Sequence, residues 1–398
     1  MTKHADANAL HAPHQTIPAE LLQKADKILF VAHLALGDFT YMQACFKAFS
    51  EAFPHIKIHL WVDEVRRTYD FRQWKHLQKY VVFDWLKTCP MFDKLYTRTY
   101  SPFVLRDSIK EARAENYPIV VSFGLARRPM YARMVRKISP KGFVVAMTKR
   151  VRFYDLRKHM IYGALDAAIP VYSHDRTLHV SDIYANWFTG LFGIQVPKDK
   201  RVPTMDVPQE WKDGAVRQLQ QWNIAAKAGR TRPLVFLNAF SKPPERSWPL
   251  ANVTELVRRM QAEPKWADAD FIINTLPELW DSTQAEVQAS GVPRIRLFSA
   301  HDHFFQLPAM LEQSDLIITV ETSIMHLANA VRVPVVAMMR QINPEWAPID
   351  AANTNIIYTP EHDDWIDKIS VDTVMEFLHI PMGSAPRFTP YQLQRMAG

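Results

Sequence analysis

The sequence predicts an α/β protein of two Rossmann-like domains whose parallel sheets face each other across a cleft. Short apolar runs of strand length recur along the chain, each followed by a segment of helical periodicity. The alternation stops between about Pro197 and Pro233, in a stretch punctuated by Pro203 and Pro208, and then restarts. Unusual polar residues fall just behind the apolar runs, where doubly wound sheets bind their ligands.

Taken in order, residues 1–25 are polar, rich in His and Ala, and expected to form a loose extension. Residues 27–32 read as the first buried strand. Residues 40–53 read as a helix with Met42, Cys45, Phe46 and Phe49 on one face, and 56–62 as the next strand. Strands at 119–123 and 143–147, separated by a basic helix around 131–137, complete a first domain over 26–200. A linker is expected over 201–232, containing a helix at 211–222. The second domain, 233–360, has strands at 234–238, 271–274, 294–298, 316–320 and 333–338, with a helix at 250–262 behind Pro249. Residues 361–398 are expected to form a helical tail that can fold back on the N-terminal domain; 375–379 is apolar enough to pack.

Composition narrows the function classes. The chain has 398 residues, 48% hydrophobic and 22% charged, an ordinary globular balance. No apolar run approaches the roughly 20 residues of a membrane span. The start, Met1-Thr2-Lys3-His4-Ala5-Asp6, lacks the apolar core of a signal peptide. Cys45 and Cys89 stand alone in apolar contexts, which suggests neither a disulfide framework nor zinc and fits a reducing cytoplasm. The net charge of +7 is concentrated: from Arg127 to Lys158 there are eleven Lys and Arg against Asp155 alone. Such a segment suits a polyanionic partner, or is a solvated face.

Three loops carry candidate chemistry. In His33-Leu34-Ala35-Leu36-Gly37-Asp38, Gly37 permits a tight turn, and Asp38 serves either as a helix N-cap or as a general base. A single glycine is no dinucleotide fingerprint. The second loop runs from Asn238 to Pro249. Its Lys242 and Arg246 either neutralise a departing diphosphate or form a solvated surface. The third, Glu321-Thr322-Ser323-Ile324-Met325-His326, follows an apolar strand. Thr322 or Ser323 is a natural N-cap, and the helix start behind it is an anion site. Glu321 can orient a sugar hydroxyl or ribose; His326 either donates to a phosphate oxygen or packs as a neutral core ring. Asp268-Ala269-Asp270, His301-Asp302-His303 and Glu361-His362-Asp363-Asp364 lack the position or companions of metal ligands, so no metal site is expected.

In this order the three loops resemble glycosyltransferase family 9, the ADP-heptose:lipopolysaccharide heptosyltransferases. Residues 27–38 and then Lys47-Ala48-Phe49-Ser50-Glu51-Ala52-Phe53-Pro54 are similar to the family's opening strand, Leu-Gly-Asp turn and PALRALRRAFP helix. Arg246-Ser247-Trp248-Pro249 is similar to its Lys/Arg-x-Trp-Pro element. Residues 321–330, with the strand 333–337, are similar to its Asp-Thr/Ser-Gly-x-x-His-Leu-Ala-Ala-Ala signature. The resemblance spans about residues 26–345.

It implies a GT-B fold and an inverting, metal-independent displacement, with no cofactor beyond a nucleotide-sugar co-substrate, ADP-heptose. It implies Asp38 as the catalytic base. Donor contacts fall to Asn238, Ser241, Lys242, Arg246, Asp281, Glu321, Thr322, Ser323 and His326, and acceptor contacts to Gly37, Arg127, Arg128 and Arg133. The implied acceptor is an anionic glycolipid, the lipid A-linked core. The implied location is cytoplasmic, peripheral at the inner membrane surface. A nucleic-acid-binding protein would also explain the basic stretch, but no recognised nucleic-acid module is visible, so no nucleic-acid partner is expected. The chain departs from the family pattern in three places. Glu321 stands for the signature Asp, Ser323 for Gly, and Asn238-Ala239-Phe240-Ser241 for Asn-Pro-Gly-Ala. These departures keep two alternatives open: a non-catalytic nucleotide- or glycan-binding relative, or a transferase with another nucleotide sugar or a non-lipid acceptor.

Overall fold

The computed structural model describes residues 15–170 and 178–385. Of these, 15–170 with 181–200 form one compact unit, and 178–180 with 201–385 form another.

The first unit runs α1 (Ala19–Lys24), β1 (Lys27–Ala32), α2 (Leu36–Ala52), β2 (Lys57–Val62), α3 (Trp74–Gln78), α4 (Val81–Lys87) and β3 (Lys94–Tyr96). It continues with α5 (Pro102–Ala114), β4 (Ile119–Ser122), α6 (Arg128–Ile138), β5 (Phe143–Thr148), α7 (Leu156–Gly163), β6 (Ala167–Pro170) and α8 (Val180–Phe192). Its six strands are parallel, in the order β3-β2-β1-β4-β5-β6. Parallel strands need crossover helices, and these cover both faces of the sheet.

Alternation along β1 assigns the two faces. Leu29 and Val31 join Tyr131, Val135 and Val144 in the core beneath α5 and α6. Phe30 points the other way, into an aromatic cluster. Its ring lies 5.2 Å from Phe46, 5.4 Å from Phe49 and 5.9 Å from Phe188, which come from α2 and α8. The first two pairs meet edge to face and the third is stacked, and such pairs add to the burial of large rings.

The second unit contains α9 (Gln209–Gln221), β7 (Leu234–Asn238), α10 (Leu250–Gln261), β8 (Asp270–Asn274), α11 (Trp280–Ser290), β9 (Ile295–Phe298) and α12 (Gln306–Gln313). It ends with β10 (Leu316–Val320), α13 (Ser323–Ala330), β11 (Val335–Met339), β12 (Thr354–Tyr358) and α14 (Val371–His379). Its sheet is again six-stranded and parallel, in the order β12-β11-β10-β7-β8-β9. Val235 and Leu237 of β7 and Ile318 and Val320 of β10 share one core with Val253, Leu256 and Val257 of α10.

Several expectations shift. The stretch expected as a linker belongs to the second unit: Lys212 of α9 donates to Glu312 of α12 at 3.0 Å, and the two helices pack together. In the expected tail, α14 packs on α10, with Val374, Met375 and Leu378 inside the second unit's core. The remainder of the tail, 386–398, and most of the extension, 1–14, lie outside the described residues. Helix α2 begins at Leu36 rather than at residue 40, so Gly37 is helical and its backbone is not left-handed. The tight turn expected of Gly37 is therefore not made. The physical reason is that the helix needs no hydroxyl or amide residue at Ala35, because Asp38 reaches back to cap it. The outer strands β3, β6 and β12 have no counterpart among the expected ones.

Phe30→Ala is expected to destabilise the first unit by about 3–5 kcal/mol, the usual effect of emptying a buried aromatic site. Urea unfolding followed by circular dichroism measures this. A loss below about 1 kcal/mol would place Phe30 outside the core.

Candidate functional site

In each sheet the strand order reverses direction once, between β1 and β4 in the first unit and between β7 and β10 in the second. At such a switch point neighbouring connections leave to opposite faces, and the carboxyl edge stays open for a ligand.

At the second unit's switch point the polar groups form a chain of hydrogen bonds. Asn274, ending β8, donates its amide to Asn238 Oδ1 at 2.9 Å. Asn238, ending β7, donates to Thr319 Oγ1 at 3.0 Å and Thr322 Oγ1 at 3.2 Å. Thr322 caps α13, accepting the Ile324 N–H at 3.3 Å. The N-terminus of α13 thus opens at the sheet edge with its dipole's positive end there. Ser323 is the helix's first residue.

The loop leaving β7 at the same edge holds Ser241, Lys242 and Arg246. Its shape is set by Trp248, which is buried. The Trp248 N–H bonds Ala239 O at 2.8 Å, and its indole donates to Ile369 O at 2.8 Å. Ser247 Oγ accepts the Ser241 N–H at 3.0 Å, closing the loop. Lys242 is exposed and Arg246 half-buried. Asp281 lies in the first turn of α11, behind β8 on this edge, and is exposed.

Two predicted donor residues have other partners. Glu321 accepts the Arg340 N–H at 3.2 Å and the Asn343 amide at 2.8 Å, and its carboxylate faces the Arg340 guanidinium at 3.5 Å. Arg340 is itself buried and stacks on Trp365 at 4.8 Å. The carboxylate therefore ties the end of β10 to the loop after β11. His326 is 4% exposed, with its ring 6.4 Å from that of Trp346. Burial, and then the nearby His179, hold its pKa down at about 3, so the ring is neutral at pH 7. It can offer one N–H but no charge.

In the first unit Asp38 occupies the third helical position of α2. Its Oδ2 accepts the Ala35 N–H at 3.0 Å and its Oδ1 accepts the Tyr184 hydroxyl at 2.8 Å. Burial raises its pKa, outweighing the opposing bonds from Tyr184 and Ala35 and the charge of His33. The cap and the candidate base are the same carboxylate. A raised pKa strengthens a carboxylate as proton acceptor.

Around it lies a network that sequence reading missed. His33 Nδ1 lies 3.0 Å from Asp63 O. The buried Asp63 carboxylate accepts the Tyr131 hydroxyl at 2.8 Å and pairs with Arg67. Burial opposes the ionisation of neighbouring Glu64, but two bonds from Arg66 outweigh it and lower the pKa. An acidic pair directly behind an apolar strand was a legible signal; Tyr184, 146 residues from Asp38, carried none. Arg127 caps α6 in a left-handed conformation, φ 53°, on the loop leaving β4. It is exposed, Arg128 half-buried, and Arg133 exposed farther along α6. Arg136 is tied instead to Asp166 and to the Ala164 and Gly142 carbonyls.

Residues 200–366 match the family model described as glycosyltransferase family 9 (heptosyltransferase). The chain carries a glycosyltransferase family 9 domain. That domain holds the whole second sheet, from β7 to β12, and with it the Asn238–Thr322 chain. The full fold is similar to that of a family 9 glycosyltransferase from Veillonella parvula, at 17% identity and TM-score 0.67, covering 88% of this chain and 95% of that one. It is similar to Escherichia coli ADP-heptose lipopolysaccharide heptosyltransferase II at 15% identity and TM-score 0.61, covering 88% and 97%. Against Escherichia coli heptosyltransferase WaaC with ADP, the values are 14%, TM-score 0.55, 88% and 96%. These likenesses establish the GT-B fold class. No curated protein matches the chain in sequence.

Two outcomes follow from the geometry. Gly124 ends the loop start behind β4, and an added Cβ would meet the Tyr131 ring that anchors Asp63. Gly124→Ala should cost about 1–3 kcal/mol, as overpacking does, read from the chemical denaturation midpoint. Burial of neutral His326 in the family 9 domain contributes stability above pH 6.5, its ordinary pKa. That contribution is lost as pH falls from 6.5 toward about 3, at up to about 1.4 kcal/mol per pH unit. His326→Gln should flatten the acid slope of stability; equal slopes would contradict a neutral buried ring.

Proposed function

We propose that this protein is an inverting glycosyltransferase that moves a sugar, heptose from ADP-heptose, onto an anionic glycolipid of the lipid A-linked core type. The observation that carries this reading is the family 9 domain's switch point. There a Thr322-capped helix start, the Asn238 amide and the cations Lys242 and Arg246 share one sheet edge. That combination suits a diphosphate: N–H groups and a positive dipole for the oxygens, two cations for the charge.

In this reading Asp38 takes the proton from the acceptor hydroxyl. The hydroxyl oxygen bonds to the anomeric carbon from the face opposite the diphosphate, whose C–O bond breaks with its electron pair, so the configuration inverts. ADP leaves carrying the charge, and Lys242, Arg246 and the start of α13 neutralise it. Removing such stabilisation typically costs several kcal/mol of barrier. The half-buried, Tyr184-bonded carboxylate supports the base assignment. The exposed Arg127 and Arg133 on the first unit suit an anionic acceptor. No described helix is long and apolar enough to cross a membrane, so the lipid would be met at the bilayer surface.

A second reading keeps the fold and changes the donor. Glu321 is held by Arg340 and Asn343, and Ser323 adds a side chain at the helix start. Both favour a sugar nucleotide other than ADP-heptose.

A thermal-shift panel of ADP, UDP, GDP and CMP, with ADP-heptose, separates the readings, because a ligand that binds only the folded state raises the midpoint. A rise with ADP and ADP-heptose alone is expected. A rise with another nucleotide moves the donor, and none at all makes the chain a non-catalytic relative. Asp38→Asn should lower turnover by about a thousandfold or more with ADP affinity unchanged. Tyr184→Phe removes a bond to the ionised Asp38 and should raise its pKa further. The acid limb of kcat/KM then moves to higher pH, whereas an unmoved limb would make Tyr184 structural only.

A further inference from the structure

The loop leaving β5 and the first turns of α7 expose four large apolar side chains within eight residues. Phe153 is 87% exposed, Leu156 73%, Met160 72% and Tyr154 60%. Single exposed apolar residues are ordinary, but a contiguous group of this size marks an interaction surface. Leu156 and Met160 are four apart on α7 and share its outer face, while Ile161 and Tyr162 pack inward against the sheet core. Phe153 and Tyr154 meet edge to face at 5.4 Å. Arg152 donates to the Tyr154 hydroxyl at 2.6 Å and lies 6.0 Å from its ring centroid, fixing the ring.

The flanking charge is of one sign. Lys149, Arg150 and Arg157 are exposed. The segment's single acid, Asp155, is taken up by capping Lys158 N–H at 3.1 Å and pairing with the Lys158 ammonium. The loop emerges from the carboxyl end of β5, the sheet edge that also carries Asp38. A second exposed pair, Tyr69 and Phe103 with rings 5.6 Å apart, lies behind β2 and β3 on that edge.

We propose that the 149–160 segment is a docking prong for an anionic lipid bilayer. Phe153, Leu156 and Met160 enter the boundary between headgroups and acyl chains, and the cations meet the anionic headgroups. Leu156 and Met160 decide between a membrane and a nucleic acid. Aliphatic side chains partition into the acyl boundary but give a base no ring to stack on. Each cation near an anionic leaflet adds about fivefold in partitioning. The inference deepens the reading of the acceptor as a glycolipid and rests on it. A lipid-anchored acceptor presents its sugar at the surface where the prong would hold the Asp38 edge.

The test is co-sedimentation of the full chain with vesicles of phosphatidylcholine alone and with roughly a third phosphatidylglycerol. Binding to the anionic vesicles only, weakened by high salt, is expected. Phe153→Ser with Leu156→Ser should weaken it about tenfold or more, and Lys149→Gln with Arg150→Gln likewise, at unchanged circular dichroism and thermal midpoint. Absence of wild-type binding, or both variants binding as wild type does, overturns the proposal. Tighter binding to a single-stranded oligonucleotide than to the vesicles overturns it in favour of a nucleic acid. The assay contains neither donor nor acceptor, so its failure is separate from failure of the transfer reading. Transfer to a delipidated acceptor should be equal in wild type and Phe153→Ser/Leu156→Ser. Vesicle binding without turnover on any acceptor would sink the transfer reading instead.

Discussion

A strand in a parallel sheet cannot return to its neighbour through a tight turn, and this constraint organises both units. Every connection must cross over one face of the sheet, so both faces are covered and the central strands between them are mostly apolar. Polar chemistry is thereby driven to the strand ends. It concentrates where the winding reverses, between β1 and β4 and between β7 and β10. Asp38 and Gly124 lie at the first reversal, with Asp63 behind the adjoining β2; Asn238, Thr322 and Arg246 lie at the second.

Once placed there, polar groups must still find partners, because a buried unpaired group is costly. The two edges meet that demand differently. Asn238 shares its amide among neighbouring hydroxyls, so a rigid rim surrounds the start of α13. Glu321 is neutralised by Arg340, which in turn stacks on Trp365. Asp38 receives two neutral hydrogen bonds and, among the described residues, no salt bridge, and burial wins. A carboxylate in that state is a better proton acceptor than one held by an arginine, as the opposite shift of Glu64 illustrates.

The central strands were legible because burial on both faces leaves a mark in one dimension: an uninterrupted apolar run such as residues 28–32. Outer strands leave less. Lys94–Tyr96 has three residues and one paired neighbour, so little of it needs to be apolar. The start of α2 was misplaced because Ala35 has no capping side chain. Asp38 supplies the cap from within the helix, and Gly37 becomes an ordinary helical residue. Thr322 was legible as a cap because its type and its place behind a strand both point to one.

By itself the sequence determined the winding of two sheets, the strand ends that carry polar residues and the family that this pattern resembles. All of these follow from apolar periodicity and short motifs, which are local. Tertiary structure decided which polar groups meet. Tyr184 reaches Asp38 across 146 residues, Arg340 claims Glu321, and burial silences the charge of His326. A side chain's protonation and its partners depend on what surrounds it in space, and chain order does not record that.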